Sequence, residues 1–412
     1  MKRFKEVSKC PISNSEEKLV YLDLGEMPLV NNLNSTKEES LNCEKFPLAV
    51  QIFKESGLST LTVEVDPTVL YSNYLYKSGV SKPYIDHCVE MFKFVDTYLN
   101  LDKNDLVLDI GGNDGTLLKA FKSVKPTLNV LNVDASENLT KEANENGIPS
   151  INGFWGEELA LSLNKNFKLI TTTNCFQHTA PIDSFVKGVS LSLTPRGIWL
   201  LEFPYWKKSI ETDQFDQVYH EHIYYYFVAP LVKLLDKYGL QIIKVTPYSI
   251  HGGTLRLLIS RKGENTFDEW VPCSSVEEFL KSENPFDFDN YIKWGEQIKK
   301  KIDKDKNLIT VLKNSGYKIA GFGAAAKGCI YLNAANINYE QIDYIVDDTN
   351  IKQGKFIPGT GIEVVSREKL KTDPVDYIVI LAHNFSDYII RSLKQDGYKG
   401  KFILFLPELK IL

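Results

Sequence analysis

Apolar and polar positions change their period several times along the chain, and these changes divide it. Up to about residue 80, short apolar pieces (Leu19-Val-Tyr-Leu22, Leu48-Ala-Val-Gln-Ile52, Leu61-Thr-Val63) are broken by polar turns rich in Asn and Ser. Such pieces predict a small β-rich lobe. Residues 83–99 then carry Ile85, Cys88, Val89, Phe92, Val95 and Leu99 at helical spacing. A strand–helix alternation follows. Leu106–Ile110 closes on Gly111-Gly112, Leu128–Val133 on Asp134, Phe167–Thr171 on Thr-Thr-Asn174, and Gly197–Leu201 on Glu202. Helical segments fall between them at Thr116–Val124 and Ile182–Leu193. This alternation implies a mostly parallel sheet covered on both faces. Leu240–Val245 and Thr254–Ile259, around His251-Gly252-Gly253, complete it as an antiparallel pair.

A link rich in Pro, Asp and Glu, roughly 262–285, leads into a helical stretch over Tyr291–Lys313. A second alternation then begins. Lys318–Phe322 enters Gly323-Ala-Ala-Ala-Lys-Gly328, Ile342–Val346 ends in Asp347-Asp348, and Tyr377–Ala382 ends in His383-Asn384. The expected domains are 1–80, 81–262 and 263–412. Ligands of open α/β sheets sit at the carboxyl ends of the strands.

Composition narrows the class of function. With 412 residues the chain is long enough for two or three cores. The net charge of -5 argues against a nucleic-acid partner, whose usual footprint is a basic patch. No apolar run is long enough to span a bilayer. The six cysteines are scattered, which is neither a disulfide framework nor a zinc-finger spacing. These features predict a cytoplasmic protein without membrane attachment.

Two places concentrate chemistry. In Val107-Leu-Asp-Ile-Gly-Gly-Asn-Asp-Gly115, glycines occupy a strand-to-helix turn where backbone can approach a ligand. Asp134 closes the next strand, where a carboxylate can accept both ribose hydroxyls. A dinucleotide turn would read Gly-x-Gly-x-x-Gly. Here Asp114 at the helix start would repel a pyrophosphate and suits a ligand with an amino group. S-adenosylmethionine (SAM) has a ribose, an amino group and no phosphate, so these residues favour it over NAD. Asp109, Gly111, Gly112, Asn113, Asp114, Asp134 and Asn174 are the expected cofactor contacts. The second place is Tyr219-His220-Glu221-His222, with two imidazoles, a carboxylate and a phenol in four residues. Histidine is the side chain whose ordinary pKa lies nearest neutrality, which suits proton transfer. A polar loop or a metal-binding pair would also read this way.

The chain resembles the SAM-dependent sugar C-methyltransferases that act on nucleotide-linked 4-keto hexoses. The resemblance runs nearly end to end. It rests on Leu108-Asp-Ile-Gly-Gly-Asn-Asp-Gly-Thr-Leu-Leu118, Asn174-Cys-Phe-Gln-His178, Gln214-Phe-Asp-Gln-Val-Tyr-His-Glu-His222, His251-Gly-Gly-Thr-Leu-Arg256, Gly321-Phe-Gly-Ala-Ala-Ala-Lys-Gly328 and Gln353-Gly-Lys-Phe-Ile-Pro-Gly-Thr360. It implies a class I, Rossmann-like SAM sheet, a small N-terminal lobe, and a second Rossmann-like α/β domain that binds the nucleotide-sugar.

The resemblance also implies roles. His222 would be the base that takes the C3 proton beside a C4 ketone. Glu221 would orient a neighbour. Tyr219, with Tyr76 from Tyr71-Ser-Asn-Tyr74-Leu-Tyr76, would hydrogen-bond the developing oxyanion. Tyr74 is the second choice for Tyr76. His178, His251, Gly323, Lys327 and Asn384 are the other expected substrate contacts. His220 is expected to point away from His222 if the segment is extended. The family's N-terminal lobe binds zinc through two Cys-x-x-Cys pairs. This chain departs from it: Cys10-Pro-Ile-Ser13 keeps one cysteine and Phe53-Lys-Glu-Ser56 keeps none. One cysteine cannot supply a tetrahedral zinc site. The lobe is therefore expected to hold no metal, with Phe53 packing where a ligand would stand. A monomer or small homo-oligomer is expected. The residues leave open an O- or N-methyltransferase on a nucleotide sugar, an NAD-dependent sugar oxidoreductase, a non-catalytic subunit, and a metal hydrolase using His220 and His222.

Overall fold

The computed structural model describes residues 3–71, 82–249, 252–264 and 276–412. Tyr74, Tyr76 and His251 lie outside these residues.

The N-terminal lobe is built from β1 (Phe4–Glu6), β2 (Lys18–Pro28), β3 (Lys45–Phe53), β4 (Ser59–Leu61) and β5 (Val63–Val65). β1 pairs with β5, and β2, β3 and β4 form an antiparallel sheet. Where the resemblance places the two cysteine pairs, Cys10 Sγ lies 3.1 Å from Ser56 Oγ and accepts the amides of Ile12 and Ser13. Phe53 is fully buried.

The helix Lys82–Leu99 buries Tyr84, Cys88, Met91, Phe92, Val95 and Leu99. The apolar stripe is turned slightly from the expected one, with Tyr84 and Met91 inward and Ile85 and Val89 half-buried. It covers the sheet formed by β6 (Leu106–Ile110), β7 (Asn129–Asp134), β8 (Ser150–Asn152), β9 (Phe167–Thr173) and β10 (Leu193–Pro204). β11 (Tyr224–Tyr225) leaves this region and pairs with β4 of the lobe. β12 (Leu240–Tyr248) and β13 (Thr254–Arg261) finish the sheet antiparallel, in the order β12-β13-β10-β9-β6-β7-β8. The central strands are buried on both faces, which is why they read as largely apolar runs, interrupted by buried polar residues such as Asp109 and Thr171. Glu202 on β10 and Arg256 on β13 form a fully buried ion pair of 2.6 Å, with His87 2.9 Å from the same carboxylate. Burial alone would raise the Glu202 pKa, but His87 and Arg256 bring it below the ordinary value.

Within the expected link a helix forms at Val276–Ser282, followed by the long helix Phe288–Asn314. The C-terminal sheet comprises β14 (Ile319–Phe322), β15 (Tyr344–Val346), β16 (Val364–Val365), β17 (Tyr377–Ile380), β18 (Lys401–Leu404) and β19 (Lys410–Ile411). Its order is β16-β15-β14-β17-β18-β19, parallel except for β19.

Each large sheet reverses its direction of growth once, between β6 and β9 and between β14 and β17. A crevice opens outside the strand ends at such a reversal. Among the described residues, no helix is long and apolar enough to cross a membrane.

Candidate active site

A cleft of about 700 Å3 joins the two crevices. One wall is Gly111, Gly112, Asn113, Asp134 and Asn174; another is Gln177, His178, Gln217, Tyr219, Glu221 and His222. A third is Ala324–Lys327 with Ala382–Phe385, and the N-terminal lobe supplies Asn31, Glu64 and Leu70.

At the first crevice, Gly111 has φ +71°. The Asp134 carboxylate accepts the Asn113 amide at 2.9 Å and the Ser136 amide at 2.8 Å. Burial pushes the Asp134 pKa up, and these hydrogen bonds oppose the shift. A Cβ on Gly112 would stand 2.5 Å from Asp109 Oδ2 and collide with Asn132 Oδ1. Asp109 and Asp114 do not line the cleft. Asp109 lies beneath the turn, where Thr171 Oγ1 donates to it at 2.8 Å, and burial raises its pKa to about 7. Asp114 turns back to accept the Thr116 hydroxyl at 2.6 Å and the Thr116 amide at 3.2 Å. Both shape the turn from behind, and neither of these two expected cofactor contacts is among the residues that line the cleft. The remaining wall fits SAM. Backbone is open at two glycines, one carboxylate lies where a ribose would meet it, and no Lys or Arg among those wall residues seeks a phosphate.

At the second wall, residues 219–222 form a turn closed by His222 N donating to Tyr219 O at 2.8 Å. This turn, rather than an extended segment, separates the two imidazoles. His220 leaves the cleft and is buried with its Nε2 3.3 Å from Phe46 O. Residues i and i+3 of the turn meet instead. The Tyr219 hydroxyl and His222 Nε2 lie 2.6 Å apart, and His222 Nδ1 lies 2.8 Å from Gln217 O. A carbonyl can only accept, so Nδ1 carries the proton and Nε2 offers its lone pair to the phenol. Burial, and then the neighbouring His178, holds the His222 pKa well below 6.5. The two rings meet edge to face at 4.8 Å. Burial also takes His178 down to about 4. Both imidazoles are neutral at neutral pH.

Several residues were missed by sequence reasoning. Asn31 of the lobe donates to Glu221 Oε1 at 2.6 Å. His383 Nδ1 lies 3.1 Å from Asp216 Oδ2, joining the turn that follows β17 to the turn Phe215–Gln217. Lys327, which was expected, lines the cleft together with Asn384, whereas Gly323 sits behind the Ala324–Lys327 wall. Burial lowers the Lys327 pKa and Asp216 opposes the shift.

Residues 86–245 match a family described as a methyltransferase domain, and residues 249–407 match one described as a C-methyltransferase C-terminal domain. The chain is built as a SAM-dependent C-methyltransferase. A curated relative, C-methyltransferase NovU of Streptomyces niveus, is 28% identical over 419 residues, covering 98% of this chain and 97% of that protein. Among solved structures, a SAM-dependent methyltransferase from Clostridium acetobutylicum aligns at TM-score 0.36 and 15% identity, over 43% of this chain and 92% of its own. One from Geobacter sulfurreducens, in complex with S-adenosyl-L-homocysteine, aligns at TM-score 0.33 and 13% identity, over 42% and 91%.

Proposed function

We propose that this C-methyltransferase acts on a nucleotide-linked 4-keto sugar, alkylating the carbon next to the ketone, C3, with His222 as base. The reading rests chiefly on the Tyr219–His222 pair, a phenol and a neutral imidazole 2.6 Å apart in the cleft that holds the glycine turn. A carbon beside a ketone is acidic only if the oxygen receives hydrogen bonds as charge develops there. Tyr219 is the donor placed for this. As a ketone enters, its oxygen competes with His222 Nε2 for the hydrogen bond that the Tyr219 hydroxyl donates. Transfer of that hydrogen bond to the ketone frees the Nε2 lone pair to take the C3 proton. The Gln217 carbonyl stabilises the imidazolium through Nδ1, and Asn31 holds the Glu221 carboxylate in the same cleft. Bound SAM supplies an electrophilic methyl group.

The nucleotide part is assigned to the C-terminal crevice, where Lys327 and Asn384 face the cleft. In this reading the protein acts in the cytoplasm as a monomer or small homo-oligomer. The test is product analysis after incubation with SAM and a panel of nucleotide-linked 4-keto sugars. A new methyl singlet on a carbon bearing no proton supports the reading. A methyl on oxygen or nitrogen refutes it.

A further inference from the structure

One buried amide in the cleft takes no part in the proton transfer. Gln177 belongs to the short helical turn Phe176–His178 that follows β9, and it is 3% exposed. It lines the cleft together with His178, Tyr219 and His222. The turn is held firmly. Phe176 is fully buried and stacks on Tyr226 at 5.0 Å, and the Gln177 backbone carbonyl accepts the Ile223 amide at 2.8 Å. Gln177 is thus fastened through its backbone to the residue that follows His222.

The Gln177 side chain is only half satisfied. Its Nε2 lies 3.3 Å from His178 Nε2. An amide nitrogen can only donate, so the neutral His178 ring accepts there. The amide oxygen, Oε1, has no hydrogen-bond partner among the described residues. Buried polar atoms are nearly always paired, and one left without a partner is costly. A carbonyl oxygen asks for a donor, and the donors on a sugar ring are its hydroxyls.

Contacts along this wall follow one order. Tyr219 meets His222, His222 meets His178 edge to face at 4.8 Å, and His178 meets Gln177. With Tyr219 serving the C4 oxygen and His222 the C3 proton, the next substituent on the side away from the ketone is the one on C2. We infer that Gln177 is a specificity-determining residue, whose Oε1 accepts a hydrogen bond from the C2 hydroxyl of the acceptor sugar. The inference rests on the reading that a nucleotide-linked 4-keto sugar is methylated at C3. A site built to bond a substrate hydroxyl rejects the analogue that lacks it, because its own polar atom then stays buried and unpaired. Gln177 therefore selects acceptors that keep oxygen at C2 over 2-deoxy acceptors.

The experiment compares kcat/KM for methylation of two acceptors by the full chain. One is a nucleotide-linked 4-keto hexose with a C2 hydroxyl, and the other is its 2-deoxy counterpart. Both are assayed with the unaltered protein and with Gln177→Met, which keeps the volume and removes the amide. S-adenosylhomocysteine affinity and Tm are read on both proteins. The expected result is a preference of about tenfold or more for the hydroxylated acceptor, which shrinks to within about twofold in Gln177→Met. Loss of the Gln177 bond to His178 slows both acceptors alike and cancels in that ratio. The preference of the unaltered protein is itself a test that needs no variant to fold.

Equal kcat/KM for the two acceptors in the unaltered protein, or a preference for the 2-deoxy one, overturns the inference. So does a preference for the hydroxylated acceptor that survives undiminished in Gln177→Met. Weaker S-adenosylhomocysteine binding in a folded Gln177→Met assigns the amide to the cofactor and overturns it too. In each of these cases methylation is still seen, so the 4-keto sugar reading stands. Methylation of neither acceptor by protein that binds S-adenosylhomocysteine removes that reading, and the inference with it.

Discussion

Gly112→Ala probes the cofactor crevice with one methyl group. The added Cβ would lie 2.5 Å from Asp109 Oδ2 and 2.9 Å from its Cγ, and closer still to Asn132 Oδ1. Neither neighbour can withdraw cheaply. Asp109 is 1% exposed and Asn132 is fully buried. The Asn132 amide also donates to Asn113 O and to Ser150 Oγ, each at 3.2 Å, so rotating it releases the turn and the start of β8 together. Extra volume in a packed site costs about 1–3 kcal/mol. The free protein escapes that cost by displacing the turn. The ligand-bound state needs the turn in place, so the same energy is subtracted from binding. At about 1.4 kcal/mol per tenfold, S-adenosylhomocysteine affinity should fall by about fivefold to about 150-fold. Calorimetric titration reads the loss, and circular dichroism confirms that the sheet is retained. Affinity within twofold of the unaltered protein, with unchanged Tm, would refute the close approach of this turn to Asp109 and Asn132.

Other consequences follow from the same contacts. Asn31→Ala removes the donor to Glu221 and should lower kcat by about tenfold or more with S-adenosylhomocysteine binding unchanged, since a hydrogen bond to a charged group is worth about 1.5–3 kcal/mol. Steady-state kinetics beside calorimetry separate this from misfolding. Arg256→Met leaves Glu202 buried without its guanidinium and should destabilise the chain by about 3–5 kcal/mol, while adding Glu202→Gln recovers part of the loss. Thermal unfolding of the single and double variants checks this. His178 and His220 both titrate near 4 in the folded chain, below the ordinary 6.5. Between those values the unfolded state binds more protons, so stability is full above about 6.5 and is lost as pH falls toward 4. Tm measured across that window should decline, and a flat profile would contradict the burial of both rings.

The two large sheets were legible because strands buried on both faces leave largely apolar runs that close on glycine or a polar residue, such as Gly111, Asp134 and Glu202. Short edge strands such as Val364–Val365 and Lys410–Ile411 carry too few residues for any period to show. The glycine turn and the Tyr-His-Glu-His segment were also visible, but side-chain direction was not. Asp114 satisfies Thr116 two residues on, a local bond that competes with any ligand. Tyr219 and His222 meet because the segment turns, which an alternation argument cannot anticipate. Asn31 and His383 were missed for a different reason. Each becomes informative only through a partner far along the chain, Glu221 for one and Asp216 for the other, and no local pattern marks such a pair.

The central claim is that His222 takes a proton from the carbon beside a ketone. It is tested most directly by incubating the protein in D2O with S-adenosylhomocysteine and a nucleotide-linked 4-keto sugar, and following deuterium entry at C3 by NMR. Exchange cannot go on to methylation because no methyl donor is present. The account predicts enzyme-dependent exchange at C3 that His222→Asn abolishes while S-adenosylhomocysteine still binds. Exchange at the unaltered rate in His222→Asn would contradict the assignment of the base, and a sugar that is methylated with SAM yet shows no exchange at C3 would contradict deprotonation at that carbon.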